Sequence, residues 1–148
     1  MERLFCLELL LGKEKVERIK KAFVVVIGIG AVGSYATEAL ARSGLRHLRL
    51  VDFDTIKPTN FNRHLLAITP NLGKLKAEAA QERIAQINPH CRVEVVSEFA
   101  AEETMARIVE GKPDLVIDAV DSLNPKTQIL AYCHKKKRSE ERRVGKEC

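Results

Sequence analysis

The chain has 148 residues, 45% hydrophobic and 30% charged, with a formal net charge of +5; the length suits one domain or part of one, and the composition excludes a disordered tail. Four cysteines without a C-x-x-C pair argue against a disulfide scaffold or zinc knuckle, no apolar run is long enough to span a membrane, and the N-terminus lacks a signal-peptide cleavage site, so a cytoplasmic protein is expected. The positive charge does not point to nucleic acid, because residues 1–134 hold 18 basic and 17 acidic side chains and most of the excess lies in residues 135–148.

In chain order, residues 1–21 read as a helix or two short ones broken near Gly12, with Leu4, Leu7, Leu10 and Leu11 at helical spacing. Phe23–Ile27 is a mostly β-branched apolar run that fits a strand covered on both faces. A glycine-rich turn follows, then a helix to about Ser43, with Val32, Ala36, Ala39 and Leu40 on one face, Tyr35 packing on the sheet and Gly44 as the stop. His47–Val51 is a second strand, and 55–70 a long loop with a helical turn. Helix 72–87, carrying Ala80, Ile84 and Ile87 on one face, ends at Asn88-Pro89. Strand 92–96, helix 102–110, strand 115–119 and helix 125–136 complete the series.

Strands alternating with helices imply right-handed crossovers and an α/β fold: a Rossmann-like, doubly wound parallel sheet with helices on both faces. The pattern stops before such a domain is complete. Arg138–Cys148 (RSEERRVGKEC) reads as the in-frame translation of a sequencing adapter. The domain is therefore expected to comprise 1–137, with 138–148 foreign to it. A chain ending there leaves a sheet edge open, so poor solubility or no turnover is expected.

Gly28-Ile29-Gly30-Ala31-Val32-Gly33 fits G-x-G-x-x-G between strand and helix. The glycines serve a tight turn, backbone approach to phosphate and close helix–strand packing, and the helix N-terminus offers N–H groups to an anion. Asp52, at the end of the second strand, is placed to accept hydrogen bonds from ribose hydroxyls. To this point NAD and ATP are equally good ligands. Asn60, Arg63 and Lys76 favour a triphosphate, which needs several cationic donors where charge builds on its oxygens. Asp118 and Asp121 lie at the end of the fourth strand, and Asp121 is the candidate for Mg²⁺, a hard cation that prefers oxygen. His47, His64, His90 and His134 show no ligand spacing and read as surface or loop residues. Cys6, Cys91 and Cys133 have no nearby acid–base partner in sequence to make a nucleophile.

Together GIGAVGS, VDFD, TNFNRH, LGKLK and IDAVDS resemble the ubiquitin-activating-enzyme-like superfamily of ATP-dependent adenylating proteins. The motifs ELLLGKE, EALARSG, RIAQINPHC and VIDAVDSLNPK are most similar to the bacterial branch that acts on threonylcarbamoyladenosine in tRNA. The resemblance implies that Gly28, Gly30 and Gly33 surround the phosphates of ATP and that Asp52 holds the ribose. It places Asn60, Arg63 and Lys76 on the triphosphate, Asp121 on Mg²⁺, and Arg63, Lys76 and Asp121 at the chemistry. It also implies a homodimer, a tRNA substrate and cyclising dehydration through an acyl-adenylate. The alternatives are adenylation of a ubiquitin-like sulfur-carrier partner and, from another class, an NAD-dependent oxidoreductase. Three positions depart from the superfamily pattern: Ala31 replaces a glycine, His64 a glutamine, and Cys6 the second arginine of an N-terminal R-x-x-R whose family role is to reach the partner subunit's ATP.

Overall fold

A computed structural model describes residues 3–135 and the backbone of residues 140–142. Helices α1 (Phe5–Leu11) and α2 (Lys13–Lys21) are split at Gly12. They precede β1 (Phe23–Ile27), α3 (Ala31–Arg42), β2 (His47–Val51), α4 (Lys76–Ile87), β3 (Arg92–Val96), α5 (Glu102–Ile108), β4 (Leu115–Asp118), α6 (Leu123–Lys135) and β5 (Glu140–Arg142). All neighbouring strands pair in parallel, in the order β3-β2-β1-β4-β5. The fold is the expected Rossmann-like α/β sheet.

The period of two along β1 explains the layers. Val24 and Val26 join Leu48, Leu50, Ala77, Ala80 and Ile84 in one core on the α3/α4 face. Phe23, Val25 and Ile27 join Met105, Ile108, Val116, Ile129 and Cys133 in another on the α5/α6 face. Every residue of β1 is buried, which accounts for its unbroken apolar run.

Several expectations are corrected. Helix α4 starts at Lys76, not Leu72, because Gly73 takes a positive φ of 82° and Thr55 pairs with Leu75 in an antiparallel bridge. On α3 the fully buried positions are Gly33, Ser34, Thr37 and Ala41; of the expected face, Leu40 packs half-buried against the core, Val32 and Ala36 are half-buried, and Ala39 is exposed. Small side chains line the helix where it comes close to the sheet, and Tyr35 points to solvent, 56% exposed, instead of packing on the strands. The leucines of α1 divide: Leu7 and Leu11 are half-buried, whereas Leu9 and Leu10, with Phe5, stay exposed.

Beyond α6 the backbone of residues 140–142 pairs with β4, from Val116–Glu140 to Asp118–Arg142. The rest of the expected adapter, residues 138–139 and 143–148, lies outside the described residues. Among the described residues no helix is long and apolar enough to cross a membrane.

Candidate functional site

The chain winds outward from β1 through β2 to β3, then crosses back to β4 on the other side of β1. Connections leaving β1 and β4 in opposite directions open a crevice at the strands' carboxyl ends. A cleft of about 620 Å³ lies there, lined among others by Gly28, Gly30, Asp52, Asn60, Arg63 and Lys76, and on its far side by Asp121. Its volume is that of a small-molecule site.

The glycines divide the labour expected of them. Gly28 has a positive φ of 88°, and a Cβ on it would meet the Ala119 carbonyl oxygen at 2.8 Å. A Cβ on Gly33 would fall 1.8 Å from the Gly28 carbonyl oxygen. Both are demanded by packing. Gly30 differs, since a Cβ there would meet nothing within 4 Å. It faces the cleft at the N-cap of α3, where no side chain caps the helix. The first-turn N–H groups therefore lack intrahelical partners, and an anion can take them.

Asp52 organises this loop. Its Oδ2 accepts the Ile29 N–H at 2.7 Å and its Oδ1 the Asp54 N–H at 2.8 Å. Each oxygen keeps further acceptor capacity, so Asp52 can brace the loop and still receive hydroxyl groups from a ligand.

The bridge between Thr55 and Leu75 brings Lys76 beside Asp54. The Lys76 N–H donates to the Asp54 carbonyl at 2.9 Å, and its Nζ lies 3.0 Å from Asp54 Oδ2. Lys76 is buried and opens a helix that no side chain caps. A cation at that end opposes the helix dipole; the Asp54 carboxylate is its partner, and both residues line the cleft. In the intervening turn (Pro58–Asn60), Asn60 Oδ1 accepts the Lys57 N–H, leaving the amide NH₂ to donate. Arg63 uses Nη1 on the Thr59 carbonyl and on Asn62 Oδ1. It has no carboxylate partner among the described residues, and its other donors remain for an anion.

Asp118 and Asp121 separate clearly. Asp118 is buried, accepts the Val120 N–H at 3.1 Å, and has Oδ2 at 3.2 Å from Lys126 Nζ. That contact is an ion pair outside hydrogen-bond geometry, and Nζ also donates to the Val120 carbonyl, 2.6 Å away. Asp121 is exposed in the cleft, where its hydrogen-bond contact among the described residues is the Ser122 hydroxyl at 3.5 Å. Of the two carboxylates it is the one accessible from the cleft. No cluster of three or more acidic, histidine or cysteine ligands occurs among the described residues.

The ThiF family model matches residues 2–139. The chain belongs to the ThiF family. It is 44% identical over 128 residues to tRNA threonylcarbamoyladenosine dehydratase of Escherichia coli K12, covering 86% of this chain and 48% of that protein. Molybdopterin-synthase adenylyltransferase of Salmonella typhimurium is more distant, at 35% identity over 80% of this chain and 47% of its own length. A crystal structure of the E. coli dehydratase in complex with ATP superposes with a TM-score of 0.95 at 40% identity, covering 97% of this chain and 59% of that one. The chain thus spans about half the length of the curated relatives it matches.

Within this ThiF domain one reading of the histidines is corrected. His64 is buried, 5% exposed, with Nε2 2.6 Å from the Ile29 carbonyl and Nδ1 accepting the Leu66 N–H at 3.1 Å. Nothing in the local pattern marked it for burial beyond its place behind Arg63. His47 is half-buried on β2, stacked on Phe23 at 3.9 Å and paired with Glu94. Sequence reasoning also missed Phe53 and Phe99, which line the cleft with ring centroids 5.6 Å apart and offer an apolar surface for a flat base. Lys126, which holds Asp118, was missed too. Burial pushes the Cys91 thiol up to about 11, so it stays protonated and inert. Cys6 is exposed, and Arg3 donates to the Ile87 carbonyl, at the end of the sheet opposite the cleft.

Proposed function

We propose that this chain is the nucleotide-binding part of an ATP-dependent enzyme that dehydrates threonylcarbamoyladenosine beside the tRNA anticodon through an acyl-adenylate. The observation that carries the reading is the convergence of Gly30, Asp52, Asn60, Arg63, Lys76 and Asp121 on one cleft, in a chain 44% identical to a dehydratase of that name.

In this reading Phe53 and Phe99 take the adenine, Asp52 the ribose hydroxyls, and Gly30 with the α3 N-terminus the phosphates. Arg63, as a fork, and Lys76, as a point charge drawn off Asp54, meet the charge that grows on the phosphate oxygens. The threonyl carboxylate attacks the α-phosphorus and pyrophosphate leaves. The ureido group then closes onto the activated carbonyl and expels AMP, with net loss of water. Activation is required because a carboxylate is a poor electrophile until one oxygen becomes part of a good leaving group.

The lining charges test the fit of a divalent cation. Asp52, Asp54, Glu98 and Asp121 outnumber Arg63 and Lys76, so a polyanion needs added positive charge to enter. The hard oxygen of Asp121 suits Mg²⁺, which supplies that charge on the phosphates. We place the protein in the cytoplasm as a homodimer, the latter supported by the exposed Phe5, Leu9 and Leu10 of α1.

Competition binding of ATP and NAD tests the nucleotide half of the proposal. ATP is expected to bind with Lys76→Ala weakening it, whereas preference for NAD would point to an oxidoreductase.

A further inference from the structure

The Ile29 peptide sits between the glycines of the nucleotide loop, and both of its polar groups are held by side chains. Its N–H donates to Asp52 and its carbonyl faces His64 Nε2. A carbonyl only accepts, so Nε2 must carry the proton. On the other side of the ring Leu66 N–H points at Nδ1, so Nδ1 must be bare. The two contacts define one neutral tautomer.

The same residue is tied into the segment that carries the phosphate donors. The backbone N–H groups of Arg63 and His64 both reach the Asn60 carbonyl, at 3.1 and 2.9 Å. The Leu65 N–H reaches Ser34 Oγ on α3. One imidazole thus connects the glycine loop to the Asn60–Arg63 turn.

We propose that His64 is a positioning residue for the nucleotide cleft, holding the glycine loop and the Arg63 turn in register only as the neutral Nε2–H tautomer, so that nucleotide binding weakens when it is protonated. A second proton on Nδ1 would confront the Leu66 N–H and leave that buried donor unpaired. The ionisable groups around the ring are Lys76 at the start of α4, Asp52 at the end of β2 and Arg63 beside it. Burial, and then the charges of Lys76 and Arg63, hold the imidazole below its ordinary 6.5, against the Ile29 carbonyl and Asp52, which favour the charged form. Burial is the largest of these influences, so the neutral form survives at physiological pH. Glutamine offers the same pair of groups, an amide N–H and a carbonyl oxygen, with no proton to gain.

The proposal rests on the cleft being a nucleotide site, and its test separates the two ideas. ATP affinity is measured from pH 7.5 to 5.5 in the protein carrying this chain and in its His64→Gln variant. Relative to its own affinity at pH 7.5, the unsubstituted protein is expected to lose more than the variant does over that range, by up to about tenfold. Equal pH dependence in both would overturn the proposal. Nitrogen-15 NMR of the unsubstituted protein, without nucleotide, is expected to show a protonated Nε2 and a bare Nδ1 at pH 7.5, titrating below 6.5. A protonated Nδ1 at that pH would overturn it whether or not the variant folds. Failure to bind ATP at all would remove the nucleotide reading, and this proposal with it, while leaving the tautomer assignment standing.

Discussion

Gly30 and Gly33 are separated by a single helical turn yet answer to different forces. Gly33 has the Gly28 carbonyl where its Cβ would be, 1.8 Å away, whereas Gly30 has open cleft. Gly33→Ala is therefore expected to destabilise the fold by at least about 2–3 kcal/mol, read as a lowered midpoint in denaturant. Gly30→Ala should leave that midpoint nearly unchanged and, on the proposed reading that phosphate approaches this loop, weaken ATP binding. On the proposed reading of the cleft, Lys76→Ala would remove one phosphate donor, and it is expected to lower turnover on the order of 10²-fold, measured as ATP-dependent release of pyrophosphate. The glycine motif and Asp52 were legible in sequence because their spacing encodes a turn and a strand end. His64 was not, since its burial depends on a carbonyl 35 residues away. Phe53 and Phe99 come from the ends of different strands, and only the parallel register of β2 and β3 brings them together.

At the scale of elements, helices and strands were readable wherever one face meets one core. Ala80 and Ile84 kept the helical period of α4 because both lie against the sheet. The start of α4 was misread because Leu72 and Leu75 continue an apolar pattern, while Gly73 and the bridge to Thr55 hold the backbone extended. Ile84→Ala is expected to cost about 2–5 kcal/mol, detectable as a lower unfolding midpoint. Helices α3 and α4 are also joined by Glu38, which takes Arg42 Nε at 2.9 Å and Arg83 Nε at 3.0 Å. The Arg83 hydrogen bond, above all, holds the Glu38 carboxyl below its ordinary 4.5, with burial opposing. A carboxyl so lowered adds stability that is fully present above its unfolded value and is lost as pH falls through the folded one. Thermal melts of the protein and its Glu38→Gln variant should therefore differ at neutral pH and converge as the pH falls below 4.5.

At the scale of the whole molecule, the sheet order places one cleft at the switch between β1 and β4, and the chemistry-bearing motifs all end there. The near balance of charge over residues 1–134 fits this. The cleft is specified by a few placed groups and not by a basic surface, so net charge carried no information about the substrate. Neither of the substrates under comparison is written in this half of the relatives' length. A tRNA nucleoside and the C-terminus of a carrier protein both present a carboxylate to the same nucleotide. ATP–pyrophosphate exchange in the protein carrying this chain separates them. Exchange that requires tRNA bearing threonylcarbamoyladenosine, and is lost with Lys76→Ala, is the predicted result. Exchange driven by a ubiquitin-like carrier protein and indifferent to that tRNA would contradict the account.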